Sequence, residues 1–536
     1  MAEKIPRYIF VAGSIMSGLG KGILTSSIAK LLQSRGFSVI PLKFDGYLNV
    51  DCGTMNPFRH GEVFVLDDGS EVDMDFGTYE RFLNISLNQK NSITGGKLFR
   101  FLLEKERKGD YLGRDVQFIP HLTDEIKQWI NDLRIGSNAD IILIEVGGTV
   151  GDIENGYFLE AVRQLKNENQ NSVFIQLTYV PSLSPGEQKT KPTQQANRLI
   201  QSMGIKPDIV ICREQELLKK EPKEKIALFC DVAPDAIFDD PLVDSVYELP
   251  LVLEKQNIYS VLAKKLNLPE NKESDLKQWK NLVSKIKNPS KGPIKIGVVG
   301  KYTDVKDAYV SIKEALLHSA AHYGVSILLD WVESAELEEK SDYSSLSKLN
   351  GLIVPGGFGK RGIEGKISAI KYARENKIPY LGLCLGLQLM VIEYARNVCN
   401  LKDANSKEFN ASTEHPVVCL LPEQQRIIEK GATMRLGAYD ALLKKGTIAH
   451  DSYKTDLISE RHRHRYEVNP DYVSKLEENG LVISGLHSKN NIVEIVEWPE
   501  KFGFGIATQA HIELKSRLEN PAPIFLSFIK EAMKKI

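Results

Sequence analysis

Gly382-Leu383-Cys384-Leu385-Gly386 carries the sharpest chemical signal in the chain. Glycines two residues to either side permit the crowded turn that projects a nucleophile from a strand end and aims backbone N–H groups at a forming oxyanion. The flanks fit: Ile378–Leu381 reads as a short buried strand and Gln388–Ala395 as a helix. A plain buried cysteine in an apolar strand-turn-helix is the competing reading. A nucleophilic cysteine also needs a base, and the base needs something to orient it. His511 and Glu513, two apart after the strand-like Gly505–Thr508, can point the same way. Alone, such a pair is more often just surface.

A second chemistry begins near the N-terminus. Tyr8–Ala12 reads as a strand, Gly13 to Gly22 as a glycine-rich loop containing Lys21, and Ile23 to Ser34 as a helix. Backbone N–H groups and the positive helix end can cradle phosphates there, with Lys21 reaching the terminal ones. A tight turn of no further purpose competes. Gly22 stands where a strict phosphate loop has Ser or Thr for magnesium, so the metal needs other ligands. Asp73 and Asp75 form one acidic cluster, and Glu145 ends the strand-like Ile141–Ile144, at the strand end where α/β sheets gather ligands. A solvated acidic loop and a strand-end salt bridge are the alternatives. The run Lys189-Thr-Lys-Pro-Thr-Gln194 suits an anionic ligand such as a second triphosphate, although basic loops are more often simply solvated.

These motifs need two or more domains to hold them, and 536 residues suffice. Basic and acidic residues balance, 69 against 70, so no global field points to nucleic acid or to an anionic membrane. Six scattered cysteines have neither metal nor disulfide spacing, which makes a reducing, cytoplasmic setting the default. No signal pattern opens the chain, and the longest apolar run, near Leu381 to Ile392, is too short to span a bilayer. Between Leu266 and Pro293 the composition turns to Lys, Glu, Asn, Ser and Pro, with an amphipathic piece near Trp279 to Ile286. The expected organisation is α/β: two doubly wound, mostly parallel-sheet domains at 1–266 and 294–536, joined by a linker at 267–293.

The Cys384 elbow, the Pro355-Gly356-Gly357-Phe358-Gly359 loop and His511-x-Glu513 resemble a class I glutamine amidotransferase. That family usually ends Gln-Phe-His-Pro-Glu, whereas here Ala510 and Ile512 replace Phe and Pro. In the first half, Ser17-Gly-Leu-Gly-Lys-Gly, Val50-Asp-Cys-Gly-Thr-Met-Asn-Pro, His60-Gly-Glu-Val-Phe-Val, Arg107-Lys-Gly-Asp-Tyr-Leu-Gly, Glu145-Val-Gly-Gly-Thr-Val-Gly-Asp-Ile-Glu and Lys189-Thr-Lys-Pro-Thr-Gln together resemble the synthetase domain of the CTP synthase family. Ser14 stands where that family usually has a second loop glycine.

The resemblance implies ATP at Gly18, Leu19, Gly20, Lys21, Gly22, Ile23 and Asp75, with magnesium on Asp75 and Glu145 and Lys43 stabilising the transferring phosphoryl group. UTP, or CTP as inhibitor, is implied at Ser17, Asp152, Ile153, Glu154, Lys189, Thr190, Lys191, Pro192, Thr193, Gln194 and Lys225. Glutamine is implied at Gly357, Leu385, Gly386, Leu387, Gln388, Glu408 and Arg465. His60 resembles a residue near the ammonia entrance; Phe358, Arg361 and Arg435 are GTP-site candidates. A homotetramer follows from the same likeness, with no nucleic-acid or membrane partner. Arg461-His-Arg-His-Arg465 could by composition be a nucleic-acid patch, but a solvated strand or a structural network is commoner, and the family likeness implies that the run belongs to the glutaminase site. Two rival readings stay open: a nucleotide-sensing or scaffold protein with an impaired glutaminase, supported only by Ala510 and Ile512, and an amidoligase acting on another acceptor.

Overall fold

The computed structural model describes residues 5–14, 16–56, 61–184, 186–300, 306–340, 342–357, 359–420 and 434–535. It divides into two compact units, one of residues 1–54 with 75–283, the other of 55–74 with 284–536.

The first unit is built on a seven-stranded sheet among the described residues: β1 (Tyr8–Gly13), β2 (Val39–Asp45), β3 (Ser92–Thr94), β4 (Ile141–Val146), β5 (Ser172–Tyr179), β6 (Ile209–Glu214) and β7 (Ile237–Pro241). Their order is β7-β6-β5-β1-β4-β2-β3, and every pairing is parallel. The continuous apolar runs of β1 and β4 follow from burial on both faces, as parallel sheets require. Helix Lys21–Gln33 leaves the glycine-rich loop and buries most of its length, with Ile28 and Leu32 fully covered.

The segment expected as a linker is partly structured. Helix Lys277–Lys287 buries Trp279, Leu282 and Val283. The indole of Trp279 donates to Tyr247 O at 2.8 Å and packs against both Phe82 and Tyr247, 5.2 and 5.6 Å between centroids, and those two rings stack on each other at 5.0 Å. Its apolar stripe therefore has a specific seat on the first unit.

Among its described residues the second unit holds a nine-stranded sheet: β8 (Lys291–Gly300), β9 (Val325–Glu333), β10 (Gly351–Val354), β11 (Tyr380–Leu383), β12 (Arg435–Leu443), β13 (Leu457–His464), β14 (Val482–His487), β15 (Val493–Glu497) and β16 (Gly505–Thr508). The order is β9-β8-β10-β11-β16-β15-β14-β12-β13. The first five are parallel and the rest antiparallel, so the sheet is more mixed than expected. One face packs Ala315, Leu316, Phe525 and Phe528 from helices Val310–Tyr323 and Pro523–Ala532. The other packs Ile367, Ile370, Leu389 and Ile392 from Ile363–Glu375 and Leu385–Asn397.

Residues 55–74 belong with this second unit although they precede most of the first in sequence. Their hairpin, Phe64–Val65 against Glu71–Val72, is pinned by Ala438 N donating to Asp67 O (2.9 Å), Arg461 to Asp67 (2.6 Å) and Arg463 to Glu71 (2.7 Å). A contiguous split at 266–294 has no way to express that excursion. No helix among the described residues is long and apolar enough to cross a membrane.

Candidate active sites

Cys384 terminates β11 with φ 52° and ψ −99° at the N-cap of helix Leu385–Asn397. A non-glycine residue adopts this backbone only under constraint, and such strain gathers at functional sites. The flanking glycines supply the constraint. A Cβ on Gly386 would stand 2.2 Å from Val354 O, and one on Gly382 would meet Tyr380 Oη at 2.7 Å and Ala507 Cβ at 2.8 Å. The elbow is therefore clamped between the two strands that neighbour β11.

His511 follows β16 and reaches the same place. Its Nδ1 bonds Glu513 Oε1 at 2.7 Å, and its backbone N–H donates to Arg461 O at 2.7 Å. A Cβ on Gly356 would lie 2.8 Å from His511 Cε1 and 3.6 Å from Cys384 Cβ, so the Pro355-Gly356-Gly357 turn closes over both. Burial opposes the charged imidazolium, but the Glu513 carboxylate and the Cys384 sulfur together outweigh it and hold the His511 pKa well above the ordinary value. The Cys384 sulfur also has Gln509 Nε2 at 3.7 Å and Arg463 O at 3.9 Å. Ala510 and Ile512 are both buried, Ile512 fully, and Thr508 Oγ1 bonds Ala510 O at 2.6 Å. The turn is thus fixed by packing and hydrogen bonds in place of a proline.

The cleft at Cys384 is lined by Gly357, Leu385, Gln388, Glu408 and Arg465, all expected at glutamine, and by His464 and Tyr466, which were not. Leu387 was expected there too, but its side chain is fully buried in the apolar core, and Gly386 is a packing position under β10. Arg435 is likewise corrected. Its guanidinium is committed inside the unit to Glu494 (2.7 Å) and Glu467 (3.1 Å), so it is not free to meet a nucleotide. Arg361 is exposed, 3.5 Å from Glu333. Phe358 and His60 lie outside the described residues. Arg461, His462 and His464 are buried, which makes the Arg/His run a structural network and not a nucleic-acid patch.

In the first unit the phosphate-type residues gather at the carboxyl ends of β1, β2 and β4. Lys21 Nζ donates to Gly148 O at 2.7 Å, and burial holds its pKa below the usual range, with Glu145 opposing that effect. Lys43 and Glu145 sit opposite each other in the β2–β4 register. The Lys43 ammonium bonds Asp75 and lies 3.8 Å from Glu145 and 3.7 Å from Asp45. Tyr79, missed in the sequence, bonds the buried Glu145 carboxylate, whose pKa is raised by burial against the pull of Lys43. A Cβ on Gly22 would stand 2.4 Å from Asp75 Oδ1. The carboxylate therefore fills the space that a hydroxyl-bearing side chain takes in the strict motif.

The remaining nucleotide-type residues are more open. Ser17 is exposed and Ile153 is 92% exposed, while Asp152 Oδ2 accepts from Thr149 N at 2.8 Å. Pro192 sits in the first turn of helix Lys191–Ser202. Gln194 donates to Thr190 Oγ1 at 3.0 Å, and Thr178 Oγ1 bonds Thr193 Oγ1 at 3.0 Å. Lys189 pairs with Glu187, and Lys225 pairs with Glu221 at 2.6 Å on an exposed helix face.

A ligase that draws its nitrogen from glutamine is the class that these two sites fit: one a strained cysteine beside a His–Glu pair, the other a cluster of lysines and carboxylates at parallel strand ends. The family model described as CTP synthase N-terminus matches residues 7–268, and Glutamine amidotransferase class-I matches 304–531. CTP synthase from Caldanaerobacter subterraneus subsp. tengcongensis is 50% identical over 527 residues, covering 98% of both chains. That from Sulfolobus acidocaldarius is 51% identical, covering 98% of this chain and 99% of its own. The acivicin-bound glutaminase domain of Trypanosoma brucei CTPS is 40% identical over 45% of this chain and 94% of that one, with a TM-score of 0.43. The chain belongs to the CTP synthase family. It aminates UTP to CTP with ATP, taking ammonia from glutamine.

Proposed function

We propose that Cys384, His511 and Glu513 carry the glutaminase half of the reaction, and Lys21, Lys43, Asp75 and Glu145 the synthetase half. Cys384 Sγ attacks the glutamine carboxamide carbon while backbone N–H groups at Gly357 and Leu385 receive the oxyanion. His511 gives its proton to the departing nitrogen, leaving a glutamyl thioester that water cleaves to glutamate. Glu408 takes the substrate ammonium and Arg465 its carboxylate. The observation that supports this half most strongly is the strained Cys384 backbone beside the partly buried His511, paired with the buried Glu513.

In the synthetase half, the ATP γ-phosphoryl group passes to the uracil 4-oxygen; ammonia then adds at C4 and phosphate leaves. The chain's own work is positioning and charge neutralisation. Residues Gly18 to Ile23 hold the phosphates, and Lys21 and Lys43 offset their charge. Magnesium fits the carboxylate pair: the Lys43 ammonium already lies between Asp75 and Glu145, as a cation shared by both would. Bound there, it would supply further charge neutralisation on the phosphate oxygens. UTP is proposed at Ser17, Asp152 to Glu154, Lys189 to Gln194 and Lys225, with CTP competing as inhibitor. GTP activation, a homotetramer and a cytoplasmic location complete the reading; the exposed apolar Ile153, Leu228 and Phe229 support the tetramer. Glutaminase assays of wild type and Cys384→Ala, with and without GTP, test it. Glutamine hydrolysis that survives in Cys384→Ala, or a wild type that hydrolyses none, would overturn the assignment.

A further inference from the structure

His464 lines the cleft at Cys384, yet its ring is 2% exposed and its nitrogens face the protein. Nδ1 lies 3.2 Å from Tyr466 O, and Nε2 lies 2.9 Å from Nδ1 of His462. A carbonyl only accepts, so His464 Nδ1 carries the hydrogen; in the neutral ring Nε2 then accepts from His462 Nδ1–H. That leaves His462 Nε2 without a hydrogen, 3.6 Å from Glu494 Oε2. Arg435 bridges Glu494 and Glu467, and Glu467 Oε1 returns to within 3.5 Å of His464 Nδ1. His462 Nε2 therefore makes no hydrogen bond to Glu494, and the result is a buried cluster of five side chains with a single permanent cation.

Tyr466 O also accepts from Gln388 Nε2 at 2.9 Å, and Gln388 Nε2 lies 3.4 Å from Gln509 Oε1. With both its N–H bonds directed at protein oxygens, the Gln388 amide presents its Oε1 as the acceptor for a substrate N–H. The rotamer of Gln388 thus depends on Tyr466 O, and Tyr466 O on His464.

We propose that His464 is a positioning residue of the glutamine cleft: its Nδ1–H fixes the Tyr466 carbonyl and through it the Gln388 amide, while that carbonyl on one nitrogen and His462 on the other fix its tautomer. This rests on the placement of the glutaminase at Cys384. Around the two histidines stand Arg435 from β12, Glu494 from β15, His487 from β14, Glu467 and His511. One Arg cannot balance two buried carboxylates, and the cluster keeps a proton: burial, opposed by Arg435, pushes Glu467 up to about 8. Above that pH a second buried negative charge disturbs the cluster.

Steady-state glutamine hydrolysis by His464→Phe and His464→Asn separates positioning from packing. Phe fills the space without an N–H; Asn leaves space but offers an N–H near the Nδ1 position. Loss of the bond should raise KM for glutamine about ten-fold in the Phe variant, with kcat changed much less, and the Asn variant should recover part of it. A Phe variant that matches wild type, or outperforms Asn, overturns the proposal. Should neither variant fold, Glu467→Gln decides. Wild-type KM should rise several-fold between about pH 7 and about pH 9, and the Gln variant should lose most of that rise; parallel profiles overturn the proposal. Cys384→Ala is assayed alongside. If it still hydrolyses glutamine, the glutaminase placement fails; if only the His464 and Glu467 effects are missing, the positioning role alone fails.

Discussion

His511 holds a carboxylate on one ring nitrogen and faces the Cys384 sulfur with the same ring. Both favour the imidazolium, against burial, so its stabilising contribution is complete below the ordinary histidine pKa and is lost only as pH rises through the elevated one. Glu513→Gln removes the carboxylate. Its melting temperature should fall below wild type most at acidic to neutral pH, and the gap should close at alkaline pH. The alkaline limb of glutamine hydrolysis should move to lower pH in the same variant; an unmoved limb would mean that Glu513 does not set the His511 proton. At this scale the strained Cys384 turn and the His511–Glu513 pair were legible because their signals are local: glycines at fixed offsets, and His and Glu two apart. Arg435 was not. A guanidinium suits a triphosphate as well as a buried carboxylate pair, and its partners lie 32 and 59 residues further along. Tyr79 gave no signal and His464 stood out only as part of the Arg461–Arg465 run, because what each does depends on a backbone or carboxylate brought into place by the fold.

The elements were legible where hydrophobic runs meet glycine. β1, β4, β10 and β11 lie where the apolar stretches predicted strands, and helix Leu385–Asn397 begins at the elbow as its glycines require. The antiparallel half of the second sheet and the seating of helix Lys277–Lys287 were not legible, since register and docking depend on partners distant in sequence. Two outcomes belong here. Gly386→Ala would force a Cβ to 2.2 Å from Val354 O, so it should abolish glutamine hydrolysis. A variant with wild-type hydrolysis would show that the elbow can relax. Trp279→Ala empties a fully buried seat, which costs roughly 3–5 kcal/mol, measured by denaturant unfolding of the full chain. A loss below roughly 1 kcal/mol would mean that the helix is only loosely docked.

The whole molecule joins two chemistries, and the sequence announced that pairing through motifs in both halves. It did not announce the excursion of residues 55–74 into the second compact unit, because charge pairs such as Arg463–Glu71 span nearly 400 positions and leave no periodic trace. Two reaction centres in one polypeptide also make physical sense: ammonia released into bulk water is largely protonated and no longer nucleophilic. The division of labour has a direct test. CTP formation from UTP and ATP is measured with glutamine and with ammonium salt, for wild type, Cys384→Ala and Lys21→Ala. The account predicts that wild type uses both nitrogen sources, that Cys384→Ala uses ammonium alone, and that Lys21→Ala uses neither. Loss of ammonium-driven synthesis in Cys384→Ala, or near-wild-type ammonium-driven synthesis in Lys21→Ala, would contradict it.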